Sequence, residues 1–258
     1  MVFSILKHLR DSLLDFWFPK RCSGCEKEWL DASQGYWCEA CAADLPWIES
    51  PLCPKCGRPF PKSPSSIDHF CGDCLLSEQP FDTARSAAFH SGVVRARINQ
   101  LKFGGRLSRV APLVELLVAT FERTEPEVDL VIPVPLHVRR LRQRGFNQAG
   151  FLAKGVGRRL RLPVDFGVLL RRRWSEPQTR LKRAERLQNV KGVFHVNKPD
   201  LLRDRSVLLI DDVYTTGSTM KECAASLRAS GATAIHGLTV SRAVPDWRPF
   251  TNGYTSDE

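Results

Sequence analysis

Four Cys-x-x-Cys pairs, Cys22/Cys25, Cys38/Cys41, Cys53/Cys56 and Cys71/Cys74, fall early in this 258-residue chain, with 12, 11 and 14 residues between successive pairs. Tetrahedral zinc needs four soft ligands, and two such knuckles joined by a short loop supply them. Eight thiols so spaced therefore read as two structural zinc ions. A redox role would suit one exposed pair, not four evenly spaced ones, and a cytosolic chain keeps its thiols reduced rather than bridged. The shortest loops group residues 22/25/38/41 and 53/56/71/74; an interleaved cross-brace is the alternative. Gly24, Gly57 and Gly72 lie in or just after the knuckles, where tight turns aim backbone N–H groups at sulfur. Metal binding is folding energy for so small a ribbon, so chelation is expected to unfold residues 20–75 and spare the rest. The ninth cysteine, Cys223, falls in a helical pattern and reads as a small buried side chain.

The rest of the composition, 43% apolar and 26% charged, is ordinary for a globular protein. No apolar stretch approaches the roughly 18 residues needed to span a bilayer. The opening "MVFSILKHLRDSLLDFWF" spaces its apolar residues as an amphipathic helix does, and Lys7, Arg10 and Asp11 interrupt what a secretory leader would keep apolar. A cytoplasmic location with no membrane insertion is expected. The formal charge is +10, yet the stretch from Arg139 to Lys191 holds sixteen Lys/Arg against three acids, a local net of +13. Such crowding reads as a surface for polyanions, whether phosphates of a small ligand or nucleic acid.

Organisation follows texture. Residues 1–80 lack long-range periodicity and read as an N-terminal helix plus the metal-stapled module; 81–243 form the main domain; 244–258 form a loose tail. "ARSAAFH" (84–90), "DLVIPVP" (129–135), "SVLLI" (206–210) and "AIHGLTVSR" (234–242) predict strands. "VVRARINQLKF" (93–103), "VAPLVELLVATFER" (110–123), "NQAGFLAKGVGRRL" (147–160) and "TMKECAASLRASG" (219–231) predict helices. Alternating strands and helices imply an α/β fold, a mostly parallel sheet flanked by helices.

Within it, "VLLIDDVYTTGST" (207–219) carries the chemistry. "VLLI" has the unbroken apolar character of a central parallel strand, which places Asp211 and Asp212 at its carboxyl end, where α/β sheets bind ligands. The turn that follows feeds a helix whose open N–H groups and positive dipole end favour an anion. Thr215, Thr216, Ser218 and Thr219 add hydroxyls, and Gly217 lets a backbone approach closely. A phosphate there would be repelled by two carboxylates unless they face something else: acids accept hydrogen bonds from a diol or hold Mg²⁺. A ribose 5-phosphate meets both demands. Upstream, "PVPLHVRRLRQRGFNQ" leaves a strand end as a basic loop, a plausible grip for pyrophosphate, with Arg144 and Gln148 as its holders, Gly145 permitting the turn and Asn147 capping the next helix. His137 reads as a structural or solvent-facing residue, with a proton shuttle as the alternative. The polar, basic 174–192 segment suits a flap over the site, a surface helix-loop being the alternative.

The strand, paired acids and Thr/Gly/Ser loop resemble the phosphoribosyl-pyrophosphate signature of type I phosphoribosyltransferases. That resemblance implies that Asp211 and Asp212 contact the ribose hydroxyls, partly through Mg²⁺, and that residues 215–219 hold the 5-phosphate. From Phe18 to Ala243 the chain is similar to the ComF family of competence proteins, which join a double zinc ribbon to such a domain. The similarity runs through "CSGC", "CEAC", "CPKCGRP" and "CGDC", "LKFGG" (101–105), "VIPVPLHVRRLRQRGFNQ" (131–148) and "PQTRLKRAERLQNVKGVF" (177–194). Phe103 stands where a tyrosine is common, and the tail is extra. Membership implies natural transformation, with incoming single-stranded DNA and a competence helicase as partners. The basic run, with stacking faces from among Trp29, Trp37 and Trp47, would meet the strand, at least one of the three being expected to pack in the core. No segment reads as an acceptor pocket, so two functions stay open: a transferase acting at the anomeric carbon with loss of pyrophosphate, and a non-catalytic module that senses phosphoribosyl pyrophosphate while binding DNA.

Overall fold

The structure, a computed structural model, describes residues 20–27, 29–30, 35–63, 65–172 and 192–244. The expected N-terminal helix, all but the last residue of the expected 174–192 flap, and the tail beyond 244 lie outside them.

Two ribbons repeat one plan. In the first, β1 (Lys20–Arg21) pairs antiparallel with β2 (Trp29–Leu30), and α1 (Glu39–Ala43) starts directly after Cys38. In the second, an antiparallel bridge joins Leu52 to Pro59, and α2 (Gly72–Leu76) starts directly after Cys71. In each, the third cysteine's N–H points at the first cysteine's sulfur: Cys38 N to Cys22 Sγ at 3.2 Å and Cys71 N to Cys53 Sγ at 3.5 Å.

The main unit then runs β3 (Thr83–Phe89), α3 (Gly92–Gly104), α4 (Val110–Thr124), β4 (Leu130–Pro133), α5 (Val138–Arg144), α6 (Gln148–Leu160), β5 (Leu169–Arg171), β6 (Phe194–Val196), β7 (Ser206–Tyr214), α7 (Ser218–Ala229) and β8 (Ala234–Arg242). Strands β3, β8, β7 and β4 form one wholly parallel sheet in that order. The unbroken apolar run of β7 reflects cover on both faces. Leu208 and Ile210 face the cluster built from α3, α4 and α6, while Val207 and Leu209 face the one built from α7, β5 and β6. Burying each of these side chains contributes about 1.5–3 kcal/mol, so the strand's register is firmly held: a one-residue slip would exchange the two faces. Strands β5 and β6 pair antiparallel and were not expected; at three residues each they are too short for any periodicity to show.

The ribbons are not a separate bead. Arg97 of α3, nearly fully buried, donates to Ser23 O at 2.5 Å and Gly24 O at 2.8 Å and pairs with Glu26 at 2.6 Å. Between the ribbons the chain runs along the outer edge of β3, with Ile48 N to Ala87 O at 2.9 Å and Phe89 N to Pro46 O at 2.8 Å. Cys53, Cys56 and Cys71 belong to the same core cluster as Phe81 and Met220.

Candidate ligand site and metal centres

Strand β7 does not stop at Ile210 as expected. It continues through both acids to Tyr214, paired with β8 as far as Arg242. Only the other neighbour stops: β4 ends at Pro133, opposite Ile210, because the chain turns away there into 134–137. Asp211 and Asp212 therefore lie where one side of β7 has lost its partner. Their adjacency in a strand also sends them to opposite faces. Asp212 lies on the α3 side and pairs with Lys102 Nζ at 3.0 Å, the two side chains 7% and 18% exposed. Its second oxygen, Oδ2, is buried without a hydrogen-bond partner among the described residues. Asp211, half-buried, accepts from Asp212 N at 2.8 Å. Burial above all, then the neighbouring Asp212 charge, pushes the Asp211 carboxyl up to about 7, against the pull of Lys102 and Arg171.

The expected basic loop is a helix. His137 is buried and its Nδ1 accepts from Arg139 N at 3.2 Å, which caps α5, and Gly145 in the left-handed region (φ 79°) ends it. The arginines thus come in helical order rather than along a loop. Arg144 lies 5.2 Å over the exposed Phe103 ring and donates to Gln148 Oε1 at 3.2 Å. Asn147 caps α6 through Ala149 N and gives its own Nδ2 to Val134 O at 3.0 Å. Burial and then Arg144 hold Arg140 below its usual range, while the charge of Asp212 opposes them.

At the other end of the site, Thr216 and Ser218 hydroxyls meet at 3.0 Å, and α7 opens on Gly217 (φ 77°), which has no capping side chain; Ser218 N donates to Thr216 Oγ1 at a long 3.4 Å. Gly217 has a reason beyond phosphate approach: a Cβ there would overlap the Tyr214 hydroxyl. Tyr214 is in turn covered by the Arg242 guanidinium, 3.9 Å from its ring. A small pocket lined by Asp211, Thr215, Gly217, Thr219 and Thr239 joins Asp211 to this loop. Sequence reasoning missed Lys102, Tyr214 and Arg242, and read Arg140 only as one of the basic loop's four arginines. For Lys102 a signal existed: "LKFGG" stood out, yet nothing local says that the end of α3 reaches β7. Of the basic run, Arg171 turns inward, where the Asp211 charge acts on it. Trp37 is buried in the core, as expected of at least one of the tryptophans, and Arg123 lies 4.9 Å over Trp47.

The thiols gather in chain order. Cys22, Cys25, Cys38 and Cys41 form one set and Cys53, Cys56, Cys71 and Cys74 the other, sulfurs within 4.8 Å of one another. Burial works against ionisation, but N–H groups of Cys38, Cys25 and Gly24 bring the Cys22 thiol down to about 6; in the same set burial and neighbouring thiols push Cys41 up to about 12. Four sulfurs so crowded can all ionise only around a cation, which is the chemistry of a tetrahedral zinc site.

A parallel sheet with paired acids and a hydroxyl loop at its carboxyl end, fronted by two ribbons of four cysteines each, defines a type I phosphoribosyltransferase-like protein with a double zinc ribbon. Residues 13–75 match the family model described as a double zinc ribbon domain. DNA utilization protein YhgH of Escherichia coli K12 is 33% identical over 226 residues, covering 84% of this chain and 94% of that protein. Competence protein F of Haemophilus influenzae is 31% identical, covering 88% and 98%, and competence protein ComFC of Bacillus subtilis 30% identical, covering 80% and 83%. The chain belongs to the family of ComF and YhgH proteins. Among solved structures, a glutamine phosphoribosylpyrophosphate amidotransferase from Bacillus subtilis aligns at 20% identity and TM-score 0.35, over 57% of this chain and 26% of that one.

Two outcomes are expected. Elemental analysis of protein made with ample zinc should find two zinc ions per chain. Because Cys53, Cys56 and Cys71 share a core with Phe81 and Met220, chelation should lower the melting temperature of the whole protein and not only loosen residues 20–75. Secondly, folded Asp211 keeps a proton to about pH 7 that the unfolded chain releases near 3.9, so it costs stability as pH rises between those values. Asp211→Asn should therefore melt higher than the wild type at pH 8, by roughly 3 °C, with the gap closing at pH 4. Equal melting at pH 8 would remove the strain assigned to this carboxylate.

Proposed function

We propose that this protein binds phosphoribosyl pyrophosphate at the carboxyl end of β7 and acts in DNA uptake by handling incoming single-stranded DNA. The observation that carries the first part is one pocket that opens onto both Asp211 and the start of α7, with Asp212 next along the strand. In this reading Thr215, Thr216, Gly217, Ser218 and Thr219 hold the 5-phosphate by N–H and hydroxyl donors. Asp211 and Asp212 take the ribose hydroxyls, and Arg144, Gly145 and Gln148, with Arg140 beside them, take the pyrophosphate. The partnerless Asp212 Oδ2 suits Mg²⁺, which when bound would supply positive charge to the diphosphate. Lys102 holds Asp212 in place through their 3.0 Å ion pair. Removing it would leave a buried carboxylate unpaired, a loss of about 3–5 kcal/mol. A site of this kind acts by positioning and by charge on the leaving pyrophosphate, with no covalent nucleophile required.

A role in competence is supported by membership alone, as relatives are named for competence and DNA utilization. DNA binding is supported by charge. Arg139, Arg142, Lys154, Arg158, Arg159, Arg161 and Arg172 are exposed on or beside α5, α6 and β5, more cations than one small ligand would engage. A cytoplasmic place of action belongs to the same reading. No helix among the described residues is long and apolar enough to cross a membrane.

Calorimetry with phosphoribosyl pyrophosphate and Mg²⁺ should show saturable binding that strengthens from pH 6 to 8 as Asp211 ionises. Asp211→Asn with Asp212→Asn should weaken it by about 1–3 kcal/mol or more, the scale of lost charge-assisted contacts. Unchanged affinity would take both residues out of the site. On single-stranded DNA, anisotropy should show affinity falling at about 0.7 log units per tenfold salt for each phosphate engaged. Replacing Arg158, Arg159 and Arg161 by Ala should flatten that slope. No binding at low salt would leave the basic surface without a nucleic-acid role.

A further inference from the structure

Between the second ribbon and the start of α7 lies a cleft of about 660 Å³, open to solvent. Arg58 and Gln79 line it from the ribbon side, Thr215, Thr216 and Lys221 from the loop side, and Arg242 from the end of β8. Two of these side chains are more than nine-tenths buried and still hold a polar atom with no hydrogen-bond partner among the described residues: Gln79 Oε1 and Arg242 Nε. Buried polar groups are nearly always satisfied, so two in one cleft need a reason.

Both side chains are held in position. Gln79 Nε2 donates to Ser77 O at 2.8 Å, Ser77 Oγ at 3.1 Å and Asp73 O at 3.3 Å, which fixes the amide so that Oε1 is the remaining group, an acceptor. Arg242 lies against the Tyr214 ring and gives Nη2 to Cys56 O, which leaves Nε–H as a donor. A fixed acceptor and a fixed donor suit a ligand that brings one of each, as the edge of a nucleobase does. At the rim, Arg58 and Lys221 outnumber the single acid, Asp73, whose contact with Arg58 at 3.7 Å is half-exposed and weak. The rim therefore favours an anion.

We propose that this cleft binds a nucleoside phosphate, its base meeting Gln79 and Arg242 and its phosphate meeting Arg58 and Lys221. The cleft shares Thr215 with the pocket beside Asp211. The ligand would thus lie next to the bound ribose phosphate, a placement that rests on the reading of that loop given above. The same chemistry comes from a free mononucleotide or from the end of a single DNA strand.

Full-length, zinc-loaded protein would be titrated by calorimetry with deoxynucleoside monophosphates, and separately with phosphoribosyl pyrophosphate and Mg²⁺. Short single strands and closed single-stranded circles would then compete with the mononucleotide. Arg58→Ala with Lys221→Ala should weaken mononucleotide binding about tenfold, and Gln79→Met about fivefold, the scale of one or two lost hydrogen bonds. Phosphoribosyl pyrophosphate affinity should stay unchanged in the rim variant. Should Gln79→Met loosen α2, the rim variant still decides, since the Arg58 contact with Asp73 of α2 is half-exposed and weak. Competition by short strands but not by circles identifies a strand end; competition by neither identifies the free nucleotide; both support the cleft. No mononucleotide binding to the wild type, or equal affinity in the variants, overturns it. Nucleotide binding with this pattern but none of phosphoribosyl pyrophosphate would instead overturn the loop reading and leave the cleft standing.

Discussion

Cover on both faces of β7 is the constraint from which the site follows. Val207 and Leu209 are locked into one cluster and Leu208 and Ile210 into the other. With the register fixed, alternation sends Asp211 and Asp212 to opposite faces of the sheet at the point where β4 has ended. Neither acid could be moved to the other face without moving four buried apolar side chains as well. The carboxylates are thus presented by the core itself and not by a loop that could relax away from them.

Their opposite placement gives the two acids different electrostatic lives. Asp212 has a close cation, Lys102, brought in by the last turn of α3. Asp211 has burial and its neighbour's charge against it, and is pushed up to about 7. Adjacent carboxylates in a half-closed site cannot both be charged at low cost without a cation between or beside them. The pair is therefore unstable toward anything that brings positive charge or hydroxyl donors, which is what a ligand-binding constellation requires. Structural strain and readiness to bind are the same property here.

The zinc ribbons take part in this arrangement instead of hanging beside it. The second ribbon's Cys56 carbonyl receives Arg242, Arg242 covers Tyr214, and the Tyr214 hydroxyl sits under Gly217 at the start of α7. That chain of contacts runs from the second cysteine cluster to the loop proposed to hold phosphate. It explains why a glycine is needed at 217 even before a ligand is considered, and it ties metal binding, which supplies the ribbon's folding energy, to the shape of the loop.

The sequence by itself determined the parts whose signals are local. Cysteine spacing grouped the thiols, the unbroken "VLLI" run marked a central parallel strand, and the strand β8 was legible from end to end because its pattern is carried by its own residues. Asn147 as a helix cap was legible for the same reason. What only the tertiary structure decided depends on partners far away in the chain. Whether 138–144 is loop or helix turned on a buried His137 capping it, and the length of β7 turned on β8 pairing beyond the acids. Lys102 reaches Asp212 across more than a hundred residues, and Arg242 reaches the second ribbon across 186. No window along the chain contains such pairs, since they are set by packing of the sheet against its helices and ribbons and not by any local preference of the backbone.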